Sequence, residues 1–219
     1  MTKDIRLIDA INSRHSVKVF DETVKIPRAE MEEMLTLATR APSSINLQPW
    51  RFVIVEAAEQ KQKLDKLVRF NQGQLHSSAA MILILGDANH ADRVEEIFGQ
   101  NVAAGTMTPE VKDYFVKAVN ETIIAAPTTV RHALATNDAN LVAMQLMLVA
   151  KAYGYDTNPI GGFEREEVMA ALNIDSERYQ AVMFVAIGKA AKVAHPSPRL
   201  PVSELISWNE GTNGIVGRK

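Results

Sequence analysis

Six consecutive residues, Ala80-Met81-Ile82-Leu83-Ile84-Leu85, are apolar without a polar interruption. A strand with one wet face would alternate, so this run reads as a central strand covered on both faces. A chain that contains it must set packing layers on either side. Tyr179 to Ile187 supplies another central strand, and Phe52-Val53-Ile54-Val55 reads as a third. Helical patterns dominate the remainder. Ile5, Ile8 and Ile11 recur at helical spacing, Pro27 opens a helix striped by Met31, Met34, Leu35 and Ala38, and Lys61 to Val68 forms another. Asn89 to Thr122 reads as two helices divided by the Gly105–Pro109 break. Within it Tyr114 and Phe115 suit an active-site mouth or ordinary helix packing. Asn137 or Asp138 caps the next helix, where Leu141, Val142, Met144, Leu146, Met147, Leu148, Val149 and Ala152 are apolar nearly all round. Full burial is expected, in the core of one subunit or across a dimer interface.

The composition narrows the function classes. A chain of 219 residues holds one large domain or a tight pair, and 47% hydrophobic residues support a substantial core. No run approaches the roughly 20 apolar residues of a membrane span. The opening Met1-Thr2-Lys3-Asp4-Ile5-Arg6 is polar and unlike a signal peptide, so a cytoplasmic location is expected. A net charge of −2 gives no global attraction to nucleic acid. With no cysteine there is no disulfide, thiolate-held cluster or dithiol relay, so electron transfer would need a bound organic cofactor. Histidines 15, 76, 90, 132 and 195 lack metal-ligand spacing.

Three segments carry chemistry. Pro42-Ser43-Ser44-Ile45-Asn46-Leu47-Gln48-Pro49-Trp50 sets hydroxyls and amides between two prolines. Such groups both donate and accept, which suits a flat neutral heterocycle with mixed polar edges. A plain polar connection from helix to strand would account for the loop taken alone. Arg14-His15-Ser16-Val17-Lys18 packs two fixed cations, an imidazole and a hydroxyl into five residues. The negative end of a helix explains one of those cations but not the set. Pro159-Ile160-Gly161-Gly162-Phe163 follows a short strand-like run, and its paired glycines let backbone N–H groups approach a ligand, although they also serve tight turns without one.

Together these segments resemble the nitroreductase family of FMN-dependent flavoproteins. The match runs through Ser13 to Phe20, Ala41 to Trp50, Phe70-Asn71-Gln72-Gly73-Gln74, Asn158 to Phe163, and Arg199-Leu200-Pro201 with Trp208 beyond. It implies one α+β domain over residues 1–219, with a mostly antiparallel central sheet flanked by helices. An extended C-terminal arm, about residues 189–219, would wrap the partner subunit of a homodimer. FMN would be held at its phosphate by Arg14, Ser16 and Arg199, with His15 in the same cluster. Lys18 would sit beside N1 and O2, where negative charge gathers on reduction, and Asn71 and Gln74 would read the pyrimidine edge. Pro159, Ile160, Gly161 and Gly162 would lie at N5, the last two presenting backbone N–H. Pro42, Ser43, Ser44, Asn46 and Gln48 would come from the partner, so that each site is shared between chains.

No acid, base or nucleophile stands out, which fits a cofactor that performs the chemistry itself. The resemblance implies hydride transfer from NADH or NADPH through flavin N5 to nitroaromatics or quinones, by a ping-pong mechanism. Reduction of activated alkenes, dihydropteridines or halogenated aromatics is the neighbouring reading, and FMN storage or sensing without turnover is a third. Membranes and nucleic acid are not expected partners.

Overall fold

A computed structural model describes residues 5–211. The first four residues and the end of the expected arm, residues 212–219, lie outside the described residues. Four strands form one sheet in the order β1-β2-β4-β3: β1 (Trp50–Val55), β2 (Ala80–Asp87), β3 (Asp156–Ile160) and β4 (Tyr179–Gly188). Every ladder is antiparallel. The whole of β2 is buried, as its apolar run required.

Alternation along β2 sends residues to two different layers. Ile82 and Ile84 join Val185, Ile187 and the stripe Met31, Met34 and Ala38 of helix α2 (Arg28–Ala38), packed with the long helix α7 (Thr128–Ala152). Met81, Leu83 and Leu85 join Phe184, Ile160 and Phe163 beneath α3 (Ala58–Leu64), α4 (Gln72–Ser77) and α8 (Arg165–Ala171). A smaller cluster gathers Leu47 against α5 (Val94–Ala103) and α6 (Pro109–Val119). The break between these two helices falls where expected: Gly105 takes φ 70°, and Thr108 caps α6 ahead of Pro109. A π-turn over Asn120–Ile124 extends it.

Helix α7 corrects two expectations. It begins at Thr128 behind Pro127, so Asn137 and Asp138 lie within it and cap nothing. Nor is it buried all round. Ala135, Ala139, Val142, Ala143 and Leu146 face the sheet and α2, whereas Leu141 is 47% and Met144 41% exposed. Among the described residues α7 is the one helix long and apolar enough to cross a membrane, and its packing across the sheet accounts for that composition. The expected helix over Lys61 to Val68 is also shifted: α3 ends at Leu64 and the chain turns through Arg69, at φ 51°.

Helix α1 (Leu7–Ser13) is short, and most of its apolar side chains are exposed, including Leu7, Ile8 and Ile11. Beyond β4, Ala190 still bridges Phe20 and Ala194 packs on the core layer of Phe184 and Phe163, and the described residues that follow are irregular apart from one helical turn at Val202–Glu204. Val193 is 97% and Trp208 79% exposed, so the arm leaves the body of its own chain.

Candidate functional site

Three of the chemistry-bearing segments meet at one edge of the sheet. After α1 the chain leaves helical geometry at Arg14 and runs alongside β3. Ser16 forms a parallel bridge with Thr157, the Val17 N–H donates to the Thr157 carbonyl at 3.0 Å, and the Asn158 amide donates to the Val17 carbonyl at 2.9 Å. The strip then reaches α4. A Cβ built on Gly73 would lie 3.7 Å from the Lys18 carbonyl oxygen, and the Phe20 N–H donates to Ser77 Oγ at 3.1 Å. Val17 and Phe20 anchor the strip in the core, leaving His15, Ser16 and Lys18 exposed and Arg14 half-buried. Alternation about the buried Val17 turns Ser16 and Lys18 to the outer face of the strip.

The Gly161–Gly162 turn is bound to the same corner from several sides. Asn71 Nδ2 donates to the Gly162 carbonyl at 3.1 Å and to the Val68 carbonyl at 2.9 Å, while its Oδ1 accepts from Gln74 Nε2 at 3.2 Å. The Glu164 N–H donates to the Leu67 carbonyl at 2.8 Å, and Arg69 forks onto Glu164 at 2.8 and 3.3 Å. That pairing holds the Glu164 carboxyl below its ordinary range. Arg165 clamps the other side: Nη2 donates to the Gly161 carbonyl and Nε to the Ala181 carbonyl, both at 3.1 Å, with the guanidinium 4.8 Å above the Phe163 ring. A Cβ on Gly161 would meet nothing within 4 Å, and one on Gly162 only Asn71 Nδ2 at 4.0 Å. Glycine is not required there by crowding inside this chain, and the turn opens toward free space. Cationic, amide and backbone donors around such a space suit a ring with carbonyl and imine acceptors and a phosphate tail. The expected cofactor therefore fits the groups present.

The polar loop lies elsewhere. It enters β1, whose start aligns with the end of β2 and the start of β4, whereas β3 ends at Ile160, level with Phe184 of β4 and Val53 of β1. Loop and Gly-Gly turn thus stand at opposite edges of the sheet, separated across it by three strand spacings or about 14 Å. Pro42, Ser44 and Asn46 are exposed, Ser43 and Gln48 half-buried. Ile45, Asn46 and Gln48 take φ 43°, 60° and 49°, a left-handed set with no glycine in it. The buried Asp138 of α7 holds the loop, accepting from the Ser44 N–H at 2.9 Å and from Ser44 Oγ at 3.3 Å. Arg199 is exposed, and its guanidinium donates to the nearby Ser197 and Pro198 carbonyls. Its described contacts stay within the arm and do not bring it to Arg14.

Sequence reasoning missed several residues around these segments. Between the two edges, Asp87 is 0% exposed and accepts from Arg51 at 2.9 Å, from Arg178 twice at 2.9 Å and from the Asn89 N–H at 2.9 Å. This fork raises the Arg178 pKa and ties the ends of β1, β2 and β4 together. An aspartate at the end of an apolar run was its only signal. Arg165 and Asp138 gave none, since each serves residues distant in sequence or a backbone carbonyl. Phe70, directly before Asn71, is 96% exposed. Of the pair Tyr114-Phe115, Phe115 packs edge-on against Phe98 at 5.8 Å and Tyr114 stays exposed.

Comparison with known proteins points one way. The model of the Nitroreductase family matches residues 11–189. A Bacillus subtilis protein named "Putative NAD(P)H nitroreductase YdgI" is 43% identical over 208 residues, covering 95% of this chain and all of the relative. The "CLA biosynthesis enone reductase" of Lactiplantibacillus plantarum is 38% identical over 187 residues, 85% of this chain and 86% of that one. Among solved structures, a protein of Exiguobacterium sibiricum 255-15 described as a "putative nitroreductase in complex with FMN" superposes with a TM-score of 0.90 at 40% identity, covering 94% of this chain and 98% of that chain.

Proposed function

Since the chain belongs to the nitroreductase family, we propose that it is an NAD(P)H-dependent FMN oxidoreductase whose acceptors are flat, electron-poor molecules such as nitroaromatics or quinones. When bound, FMN would supply the redox chemistry, hydride transfer between nicotinamide and acceptor in a ping-pong cycle. Everything else falls to this chain's residues.

One observation carries the reading: the basic strip, Asn71 and the Gly161–Gly162 turn, far apart in sequence, converge around one open corner. Arg14 and Ser16 would bind phosphate oxygens there, and Arg199, whose described contacts stay within the arm, would join them only if flavin binding draws the arm in. A guanidinium fork matches such oxygens in a way an ammonium does not. His15 adds a further polar contact. Lys18 favours negative charge at N1 and O2. Asn71 and Gln74 read the pyrimidine edge, Asn71 with its amide already oriented by Val68, Gly162 and Gln74, and its Oδ1 keeping a second lone pair for a ring N–H. Pro159 and Ile160 end β3 and set Gly161 and Gly162 at N5. Phe70 offers an exposed aromatic face at the mouth.

Because loop and turn stand at opposite edges of one sheet, Pro42, Ser43, Ser44, Asn46 and Gln48 complete the site of a second copy, and the active unit is a homodimer. Exposed apolar side chains on α1 and α7 and the extended arm support that reading. A cytoplasmic setting supplies the nicotinamide and suits a chain without cysteine. A second reading, reduction of activated alkenes, is favoured by the likeness to the enone reductase.

The purified protein should be yellow and should bleach rapidly on anaerobic addition of NADH or NADPH. Steady-state rates with a quinone, a nitroaromatic and an enone then rank the acceptors. Slow bleaching by both nicotinamides would leave only FMN storage or sensing.

A further inference from the structure

We propose that Asp138 is a positioning residue that locks the Ser44–Gln48 loop into its left-handed shape, and that this shape lets the loop close over the flavin. The inference rests on the reading of the loop given above.

Left-handed backbone is disfavoured for L-residues, and most of all for a β-branched one. Ile45 nevertheless sits at φ 43°, ψ 33°, followed by Asn46 at 60° and, beyond Leu47, Gln48 at 49°. Such a run persists only where its surroundings over-determine it. Inside the loop the Gln48 N–H donates to Ser43 Oγ at 3.1 Å, and Leu47 is buried against α5 and α6. Across from it stands Asp138, 5% exposed in the middle of α7, with both carboxylate oxygens accepting from Ser44, the residue that enters the strained run. A buried carboxylate is costly unless hydrogen bonds offset it. Here both hydrogen bonds of the side chain go to one loop residue, and bonds to a charged acceptor are the stronger kind. The strain, the clamp and the exposed polar side chains therefore belong to one device. Ser44 is gripped from beneath, which forces Ile45 and Asn46 outward.

The test uses the flavin-loaded protein, with FMN affinity read by fluorescence titration and loop shape by amide hydrogen exchange. Asp138→Ala deletes both acceptors. It should weaken FMN binding about tenfold, equivalent to one lost hydrogen bond to a charged group, and speed exchange at residues 46–48 more than along α7. Asp138→Asn keeps an acceptor of the same shape for the Ser44 N–H and should recover most of the affinity. Ile45→Gly added to Asp138→Ala should also recover affinity, because glycine takes positive φ freely. Wild-type affinity in Asp138→Ala, an Asn variant as weak as the Ala variant, or no rescue by Ile45→Gly would each overturn the proposal. Should Asp138→Ala not fold, folding and flavin binding by the double variant support it, and a double variant that also fails overturns it. Asn46→Gly removes the amide without adding strain and separates the two readings. If it binds FMN like wild type, the loop does not touch flavin and both readings fall. If it weakens FMN while Asp138→Ala does not, only the role of Asp138 falls.

Discussion

Lys18 and Lys61 show how differently one residue type behaves in two settings. Lys18 is exposed on the strip beside α4, so solvent screens it, whereas Lys61 is buried with Nζ donating to the Ser78 carbonyl at 2.5 Å. An ammonium about 4 Å from a flavin anion, at an effective dielectric of about 20, is worth roughly 4 kcal/mol, or at most about 90 mV on a two-electron potential. Exposure reduces that ceiling. We expect Lys18→Met to lower the flavin midpoint potential by tens of millivolts while FMN stays bound, and Arg14→Ala to loosen FMN with little change in potential; potentiometry beside fluorescence titration checks both. For Lys61, burial lowers the pKa to about 8, Lys25 adding to the effect and Glu22 and Glu56 opposing it. The unfolded chain then holds more protons than the folded one between pH 8 and the ordinary lysine value of 10.5. The penalty for the buried ammonium is fully present below pH 8 and is relieved as pH rises through that window. Thermal unfolding at pH 7.5 and pH 10 should therefore show a relative gain for wild type at high pH that Lys61→Met lacks.

Among the elements, α7 and β2 decide where everything else sits. They pack closely at Gly86, where an added Cβ would lie 3.1 Å from the Ala135 Cβ and 3.2 Å from its carbonyl carbon. These neighbours are helix backbone and a methyl group with no rotamer to yield. Gly86→Ala should therefore cost about 1–3 kcal/mol as overpacking, read as a lower denaturant midpoint with an unchanged slope. The same substitution at Gly161 meets open space. Its effect should fall on flavin affinity and leave the unfolding midpoint near wild type. The contrast between the two glycines was hidden in the sequence, because crowding is a property of what packs opposite. The buried character of β2 was legible, since an apolar run without alternation has one economical fate. The start of α7 was not: Thr128 to Thr136 lacks the apolar density of the later turns, so the sequence points to a cap at Asn137 or Asp138, whereas the helix begins at Thr128 behind Pro127.

As a whole molecule, the chain looks like half of a working unit. Its polar loop and its basic strip lie at opposite edges of the sheet, α7 and α1 expose apolar side chains, and the arm leaves the body. If each flavin lies between two copies, occupancy should follow dimerisation. Leu141→Glu or Met144→Glu should yield monomers that have lost FMN, measured by light scattering and the flavin absorbance in one column run. Monomers that keep stoichiometric flavin would remove the shared-site reading.

The sequence by itself determined the buried strands, the helix stripes and the recognition segments, because these are local patterns that survive reading one residue at a time, and the resemblance those segments carry implied the family and its antiparallel α+β architecture. Only the tertiary structure decided that Ser16 bridges Thr157, that Asn71 grips Gly162, that Arg165 clamps the turn and that Asp138 serves Ser44 rather than a helix end. Each of these joins residues distant along the chain or binds a backbone carbonyl, and such pairings carry no signal in residue order; they exist only once the strands have chosen their neighbours.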